Sequence, residues 1–346
     1  MTTAPSDNVV STPEVGPEAA ALLARSLVWD NHACMPLRLT DDAFLPQLER
    51  HKAAGFNVVS LNVGFGDYGV EQHIRVLAHF RHWLSRHQDD YQLIESADDI
   101  ALARARGKLA VTFDIEGGNA LGEQASLVSL YYGLGVRWML MAYNSNNALG
   151  GGCHGQDGGL TAFGREVLDE MARVGMVACC SHTGLTTALE VMAYSARPVI
   201  YSHSNPSAVY RHARNIPDRA MLACAATGGV VGLNGIGIFL GDVEDLVEPL
   251  ARHIDHAVQV IGARHVGLGL DYVFDQAELV EQFEEMKASF PAGFGYGSGL
   301  RMVAPEQIGA VVERLLRLGY RDEDVVGILG GNWLRIAHAV WQPVAR

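Results

Sequence analysis

Three histidines, a glutamate, an aspartate and a cysteine stand where short apolar runs of this chain end, and side chains of these types can together hold a transition metal. His32 and Cys34 follow the first run, Glu116 the third (just after Asp114), His182 the fifth, His203 the sixth and Asp271 the eighth. The second, fourth and seventh runs end in Asn62, Tyr143-Asn144 and Asn234. Imidazole, carboxylate and thiolate all suit Zn(II), and zinc brings a bound water to a pKa of about 7, which makes it a nucleophile at neutral pH. One histidine at a strand end is most often a hydrogen-bonding residue. Three of them, each closing a different run, are not explained that way. His51, His73, His79, His82, His87, His253, His256 and His338 fall in helical stretches and read as surface or packing residues, while His154 and His212 lie in loops without an assigned role.

Such chemistry needs elements that bring the run ends together. The runs are Leu27–Asn31, Asn57–Leu61, Leu109–Asp114, Trp138–Ala142, Met176–Cys180, Val199–Tyr201, Val230–Leu233 and Val266–Leu270. Longer amphipathic stretches lie between them, among them Phe44–Ala54, Glu71–Arg86, Gly164–Arg173 and Val247–Val260. Repeated strand-then-helix units predict an α/β protein with a parallel sheet, and eight of them predict a closed (β/α)8 barrel of the TIM type. Active sites of such barrels form at the C-terminal ends of the strands, where the polar residues fall. An open doubly wound sheet is disfavoured, because the first strand runs into Asp30-Asn31-His32 and not into a Gly-x-Gly-x-x-Gly turn. The expected organisation is a flexible polar arm over residues 1–20 and a single domain over 21–346, ending in a helical tail around Pro305–Val340.

Composition narrows the partners. The 346 residues are 49% hydrophobic, enough for a large core, and 39 acidic against 26 basic residues give a formal charge of −13. With no Lys/Arg-rich run, neither nucleic acid nor an anionic membrane surface is an expected partner, and a small-molecule substrate is. A homo-oligomer is compatible with the sequence. Residues Met1–Pro17 lack the basic and apolar segments of a secretory signal, and no apolar stretch approaches the roughly 18 residues of a membrane span. Five cysteines, an odd number, read as reduced thiols, so a cytoplasmic location is expected.

Six local motifs, in order across residues 27–340, resemble those of the membrane dipeptidase (renal dipeptidase) family in its bacterial form. They are Phe113-Asp114-Ile115-Glu116-Gly117-Gly118, Ser181-His182, Tyr201-Ser202-His203-Ser204-Asn205, Arg214-Asn215-Ile216-Pro217-Asp218, Gly267-Leu268-Gly269-Leu270-Asp271-Tyr272, and Gly330-Gly331-Asn332-Trp333-Leu334-Arg335. The resemblance implies a zinc-dependent dipeptidase in which Glu116 bridges two zinc ions. His32 and Cys34 would serve one ion, His182 and His203 the other. It further implies Asp271 as the proton-handling catalytic residue, Arg214 as the clamp on the substrate carboxylate, and Asn205 as a substrate contact.

Three positions depart from the family pattern. Cys34 replaces the aspartate of His-x-Asp, and thiolate can substitute for carboxylate on zinc because a cation lowers the thiol pKa. Tyr143 stands where mammalian members carry an oxyanion-stabilising histidine, a role that a phenol can also fill. Asn234-Gly235-Ile236 lacks the bulk and hydroxyl of an Asn-Phe-Tyr run. Cys179, where many relatives have aspartate, reads as a packing residue or a support behind the metal ligands. The departures keep two other readings open, a hydrolase of another small amide, lactone or amino-acid conjugate, and a non-catalytic metal-binding relative.

Overall fold

The computed structural model describes residues 15–241 and 243–343. Ten strands are present among them: β1 Trp29–Cys34, β2 Val58–Phe65, β3 Tyr91–Leu93, β4 Leu109–Glu116, β5 Val136–Leu140, β6 Val177–Cys179, β7 Val199–Ile200, β8 Val231–Leu233, β9 Val266–Leu268 and β10 Tyr272–Val273. The eight expected runs fall on β1, β2 and β4 through β9. All ladders are parallel, and β2 and β4 are buried along their whole length. Burial on both faces is what continuous apolar runs achieve when helices cover the outside of a parallel sheet.

The sheet runs β10-β1-β2-β4-β5-β6-β7, with β8-β9 as a second ladder. Two junctions close the barrel. At the first, the Gly232 N–H donates to the Tyr201 carbonyl at 2.7 Å and the Ser204 N–H to the Gly232 carbonyl at 2.7 Å, joining β7 to β8. At the second, the Asp271 N–H donates to the His32 carbonyl at 2.9 Å, and the Leu270 N–H donates to Asp30 Oδ1 at 2.8 Å. Asp30 is fully buried and its other oxygen faces His51 Nε2 at 3.0 Å, so a buried polar contact supports this seam.

Two strands had no counterpart in the sequence reading. β3 pairs with Leu109–Val111 of β4, along the edge that β5 joins only from Phe113 onward. β10 continues the line of β9 beyond a kink at Asp271, whose φ is +57°. The helical tail expected around 305–340 is present as helices Ile308–Arg317, Asp322–Val326 and Asn332–Val340. Of the expected arm, residues 1–14 lie outside the described residues. Residues 17–20 belong to helix Pro17–Arg25, which starts on Pro17, a residue suited to the first turn, and buries Ala19 and Leu22, so the arm boundary at residue 20 is corrected. No helix among the described residues is long and apolar enough to cross a membrane.

Candidate active site

The expected metal ligands come together at the C-terminal mouth of the barrel. Glu116, ending β4, stands in the middle with its two oxygens facing opposite ways. Oε2 lies 3.6 Å from His32 Nε2, while Oε1 lies 3.3 Å from His203 Nε2 and 3.6 Å from His182 Nε2. On the first side, Cys34 Sγ is 3.5 Å and Asp271 Oδ1 3.4 Å from His32 Nε2, and Cys34 and Asp271 are 3.6 Å apart. The donor atoms of His32, Cys34 and Asp271 all lie within 4.8 Å of one another, as do those of His32, Glu116 and His203. Asp271, read from the sequence as a proton carrier, therefore also lies among the metal donors.

The donor set fits cations better than it fits itself. Glu116 Oε1 is buried without a hydrogen-bond partner, and the His182 and His203 Nε2 atoms face each other at 2.9 Å. A buried carboxylate oxygen and two imidazole nitrogens around one point normally find a proton or a metal. The ionisation preferences follow from the same crowding. Burial, with Asp271 and Asp114 adding to it, pushes the Glu116 carboxyl up to about 8 against the pull of His32. Burial alone would lower His32, but Glu116 and Asp114 outweigh it and hold its pKa well above the ordinary range. Burial, with the Arg214 charge nearby, holds His182 and His203 well below theirs, and so in the neutral state that binds metal.

Each imidazole is aimed by a partner on its second nitrogen. His32 Nδ1 faces Asp114 Oδ1 at 3.1 Å, and that carboxylate accepts from Ser60 Oγ at 2.6 Å and Asn62 Nδ2 at 3.2 Å. His182 Nδ1 meets Asn144 Oδ1 at 2.7 Å, and His203 Nδ1 meets Ser202 Oγ at 2.8 Å. Cys179 stands behind Ser202, with its sulfur 3.1 Å from the serine oxygen, in the supporting place expected for it. Asn234 Nδ2 donates to Asp271 Oδ2 at 2.7 Å and leaves Oδ1 turned to the metal donors. Such partners fix tautomer and ring orientation. Sequence reading named Asp114, Asn144 and Asn234 only as strand-end polar residues. For Asp114 the available signal was its alternation with Phe113 and Ile115 along β4, whereas Asn144 and Asn234 lie beyond the ends of their strands.

Backbone strain marks the same place. Among the described residues, four non-glycine residues have φ in the left-handed region, and three of them are Asn144, His182 and Asp271 (+52°, +59° and +57°). Each such conformation costs of order 1 kcal/mol or more and persists where the surroundings impose it, commonly at functional sites. Gly117, directly after Glu116, takes φ +124°, which a residue with a Cβ rarely adopts.

Three further expected residues differ in placement. Tyr143 lines the pocket, stacks on His182 at 4.1 Å between ring centroids, and has no hydrogen bond to its hydroxyl among the described residues. Arg214 is buried behind His203, donating to the His203 carbonyl at 2.9 Å and to Ser204 Oγ at 3.1 Å. Its Nε lacks a partner, and no carboxylate pairs with it among the described residues. Asn205 is corrected. Its amide is committed to the backbone of Asn234, accepting from the N–H at 3.0 Å and donating to the carbonyl at 3.0 Å, so it ties two strand ends together and does not face substrate.

The sequence profile of the membrane dipeptidases (peptidase family M19) matches residues 17–290, which takes in every one of these site residues. The chain belongs to the membrane dipeptidase family. An uncharacterized dipeptidase of Schizosaccharomyces pombe is 31% identical over 269 residues, covering 74% of this chain and 59% of the relative. Dipeptidase 3 of Rattus norvegicus is 28% identical over 73% of this chain and 49% of its own length. The chain thus spans about half to three fifths of these relatives. Among solved structures, an amidohydrolase from Pseudomonas aeruginosa superposes with a TM-score of 0.85 at 27% identity, covering 93% of this chain and 99% of that one. A metallopeptidase from Rhodobacter sphaeroides, solved with a phosphinate mimic of L-Ala-D-Ala, shares the fold with a TM-score of 0.76 at 22% identity, over 91% of this chain and 100% of that one. The chain keeps His32, Glu116, His182 and His203 of the expected pattern and carries Cys34 at the position where the resemblance implies an aspartate.

Proposed function

We propose that this membrane dipeptidase family member hydrolyses dipeptides or closely related small amides with two zinc ions, in the cytoplasm. The observation that carries the reading is the two-sided Glu116, one oxygen toward His32, Cys34 and Asp271, the other toward His182 and His203. Zinc bound there supplies an acidified water and polarises the scissile carbonyl. Around that chemistry, the chain's own residues divide the work. Asp271 Oδ1 takes a proton from the nucleophile and passes it to the leaving nitrogen, while Asn234 holds the other oxygen still. The free hydroxyl of Tyr143 donates to the oxyanion. Arg214, buried and without a carboxylate partner among the described residues, would attract the substrate carboxylate, which would satisfy its charge. All five cysteines are free thiols, which suits a reducing compartment.

The test combines metal analysis of the purified protein with a dipeptide panel that includes D-residues and amidated C-termini. Two zinc ions per chain, turnover of free dipeptides and a much raised KM for the amidated ones are expected. Glu116→Gln should lose both turnover and the second metal without unfolding. Two metals without peptide turnover would move the activity to another amide or lactone, and one metal or none without turnover would leave a binding protein.

A further inference from the structure

The pocket in front of Glu116 has a second wall that the mechanism does not use. Ile236, Phe239 and Leu300 form an apolar cluster separate from the barrel core, with Ile238, Leu279 and Phe283 packed against it. The last three are only half-buried although apolar, and all three line the pocket, so what exposure they keep includes a face toward its space. Phe290 joins this wall, 4.5 Å from Phe283 and 6.0 Å from Tyr143 between ring centroids, which makes the apolar surface continuous with the catalytic floor.

Two histidines fasten the wall. His154 Nε2 meets the Tyr296 hydroxyl at 2.7 Å and its ring stacks on Phe294 at 4.9 Å. His212 Nε2 donates to the Phe294 carbonyl at 2.8 Å, while its Nδ1 accepts from the Arg214 N–H at 3.0 Å. These are the two loop histidines that sequence reading leaves without an assigned role. One ties the covering segment to the loop after β5, the other to the backbone of Arg214, the proposed carboxylate clamp.

Charge decides what this end of the pocket accepts. Among the described residues no lysine or arginine lines it, and the acids beyond the metal donors are Asp275 and Glu278. Asp275 is paired with Arg38 and caps a helix through the Ala277 N–H, and Glu278 accepts from the Leu37 N–H at 3.0 Å. An anionic substrate group meets no cationic lining residue here among the described residues, and the side chains of Ile238, Leu279, Phe283 and Phe290 offer a polar one no partner. Bulky apolar groups lose water on both sides of the contact, at about 25 cal/mol per Å² buried.

We infer that the preferred substrates are small amides carrying a bulky apolar side chain, aromatic or branched aliphatic, held against the wall of Ile238, Leu279, Phe283 and Phe290 that His154 and His212 clasp over the site. This rests on the dipeptidase reading and gives it a substrate class.

The experiment uses the full metal-loaded chain and the dipeptides Xaa-Ala and Ala-Xaa, with Xaa as Gly, Ala, Leu or Phe and both configurations at the C-terminal residue. In at least one series, kcat/KM for Leu or Phe should exceed that for Gly by about tenfold or more, the scale on which apolar pockets discriminate. Leu279→Ser and Phe283→Ser should each bring that ratio toward one, and Ile238→Ser on the facing element reads the same wall should either fail to fold. Equal rates across each series, or variants that slow every substrate by the same factor, would overturn the inference. If no dipeptide is cleaved, the dipeptidase reading fails separately. Calorimetry with phosphinate mimics of Ala-Ala and Leu-Phe then decides this one, since tenfold tighter binding of the bulky mimic supports it and equal binding refutes it.

Discussion

Cys34 is one of the three positions that depart from the pattern the resemblance implies, and its surroundings give it a specific chemical part. Its sulfur lies 3.5 Å from His32 Nε2 and 3.6 Å from Asp271 Oδ1. Burial raises the thiol pKa far above its ordinary value when only protein surrounds it, and a cation reverses that by binding the thiolate. A thiolate here is useful only to a metal, because no hydrogen-bond donor compensates its charge apart from His32. Metal-loaded protein should therefore resist alkylation at Cys34, and chelation should expose it. Burial alone mimics that protection, so substitutions separate the two. Cys34→Asp, which restores the family ligand, should keep two zinc ions and part of the activity, whereas Cys34→Ala should lose one ion and most turnover. Two ions and undiminished rates in Cys34→Ala, measured by metal analysis and steady-state kinetics, would remove the cysteine from the ligand set.

Among the elements, the strands that close the barrel carry the most demanding packing. Trp333, from the last helix, is buried beneath β8 and β9 and donates its indole N–H to the Leu268 carbonyl at 3.0 Å. A Cβ on Gly267 would sit 2.6 Å from that indole nitrogen, so the glycine and the tryptophan occupy one space between them. Trp333→Leu should cost about 3 kcal/mol by cavity formation, and Gly267→Ala should be destabilising by overpacking. Together they should cost clearly less than their sum, because the added methyl enters vacated volume. Additive losses in urea titrations would mean the two positions do not share that space. The same elements show what a sequence makes legible. Eight strands were readable because burial on both faces leaves continuous apolar runs. β3 and β10 were not, since Tyr91-Gln92-Leu93 is broken by Gln92 and fully buried only at Tyr91, and Tyr272-Val273 comes just after Asp271, the polar residue that closes the eighth run. The metal donors were visible as strand-end residues, but their supports required register. Asp114 reaches Asn62 only because the two are paired across β2 and β4. Asn205 looked like a substrate contact from its place after His203, and only the neighbouring strand end shows where its amide goes.

For the molecule as a whole, stability against pH is set by buried groups that oppose one another. His253 is fully buried on helix Val247–Ile261, away from the metal donors, and burial, aided by Arg252 and His256, pulls its pKa down to about 4. Unfolded, it titrates near 6.5. The unfolded chain therefore binds this proton first as pH falls, so the stability due to a neutral His253 is complete above pH 6.5 and is lost progressively toward pH 4, by about 2 kcal/mol at pH 5. Glu278, on the pocket rim, has the opposite sign. Burial pushes its carboxyl up to about 7, so the folded state binds its proton first and gains stability as pH falls from 7 toward 4.5. These two terms are of similar size and opposite direction, so they offset each other over this range and the wild-type profile does not separate them. Single substitutions separate them. His253→Leu should become more stable relative to wild type by about 2 kcal/mol between pH 7 and pH 5, and Glu278→Gln should become less stable relative to wild type over the same interval. Denaturant titrations at the two pH values measure both differences, in which any offset common to both pH values cancels. If the His253→Leu and wild-type stabilities changed in parallel, His253 would already be protonated in the folded protein near pH 6, and the acid sensitivity would belong to the histidines at the metal site.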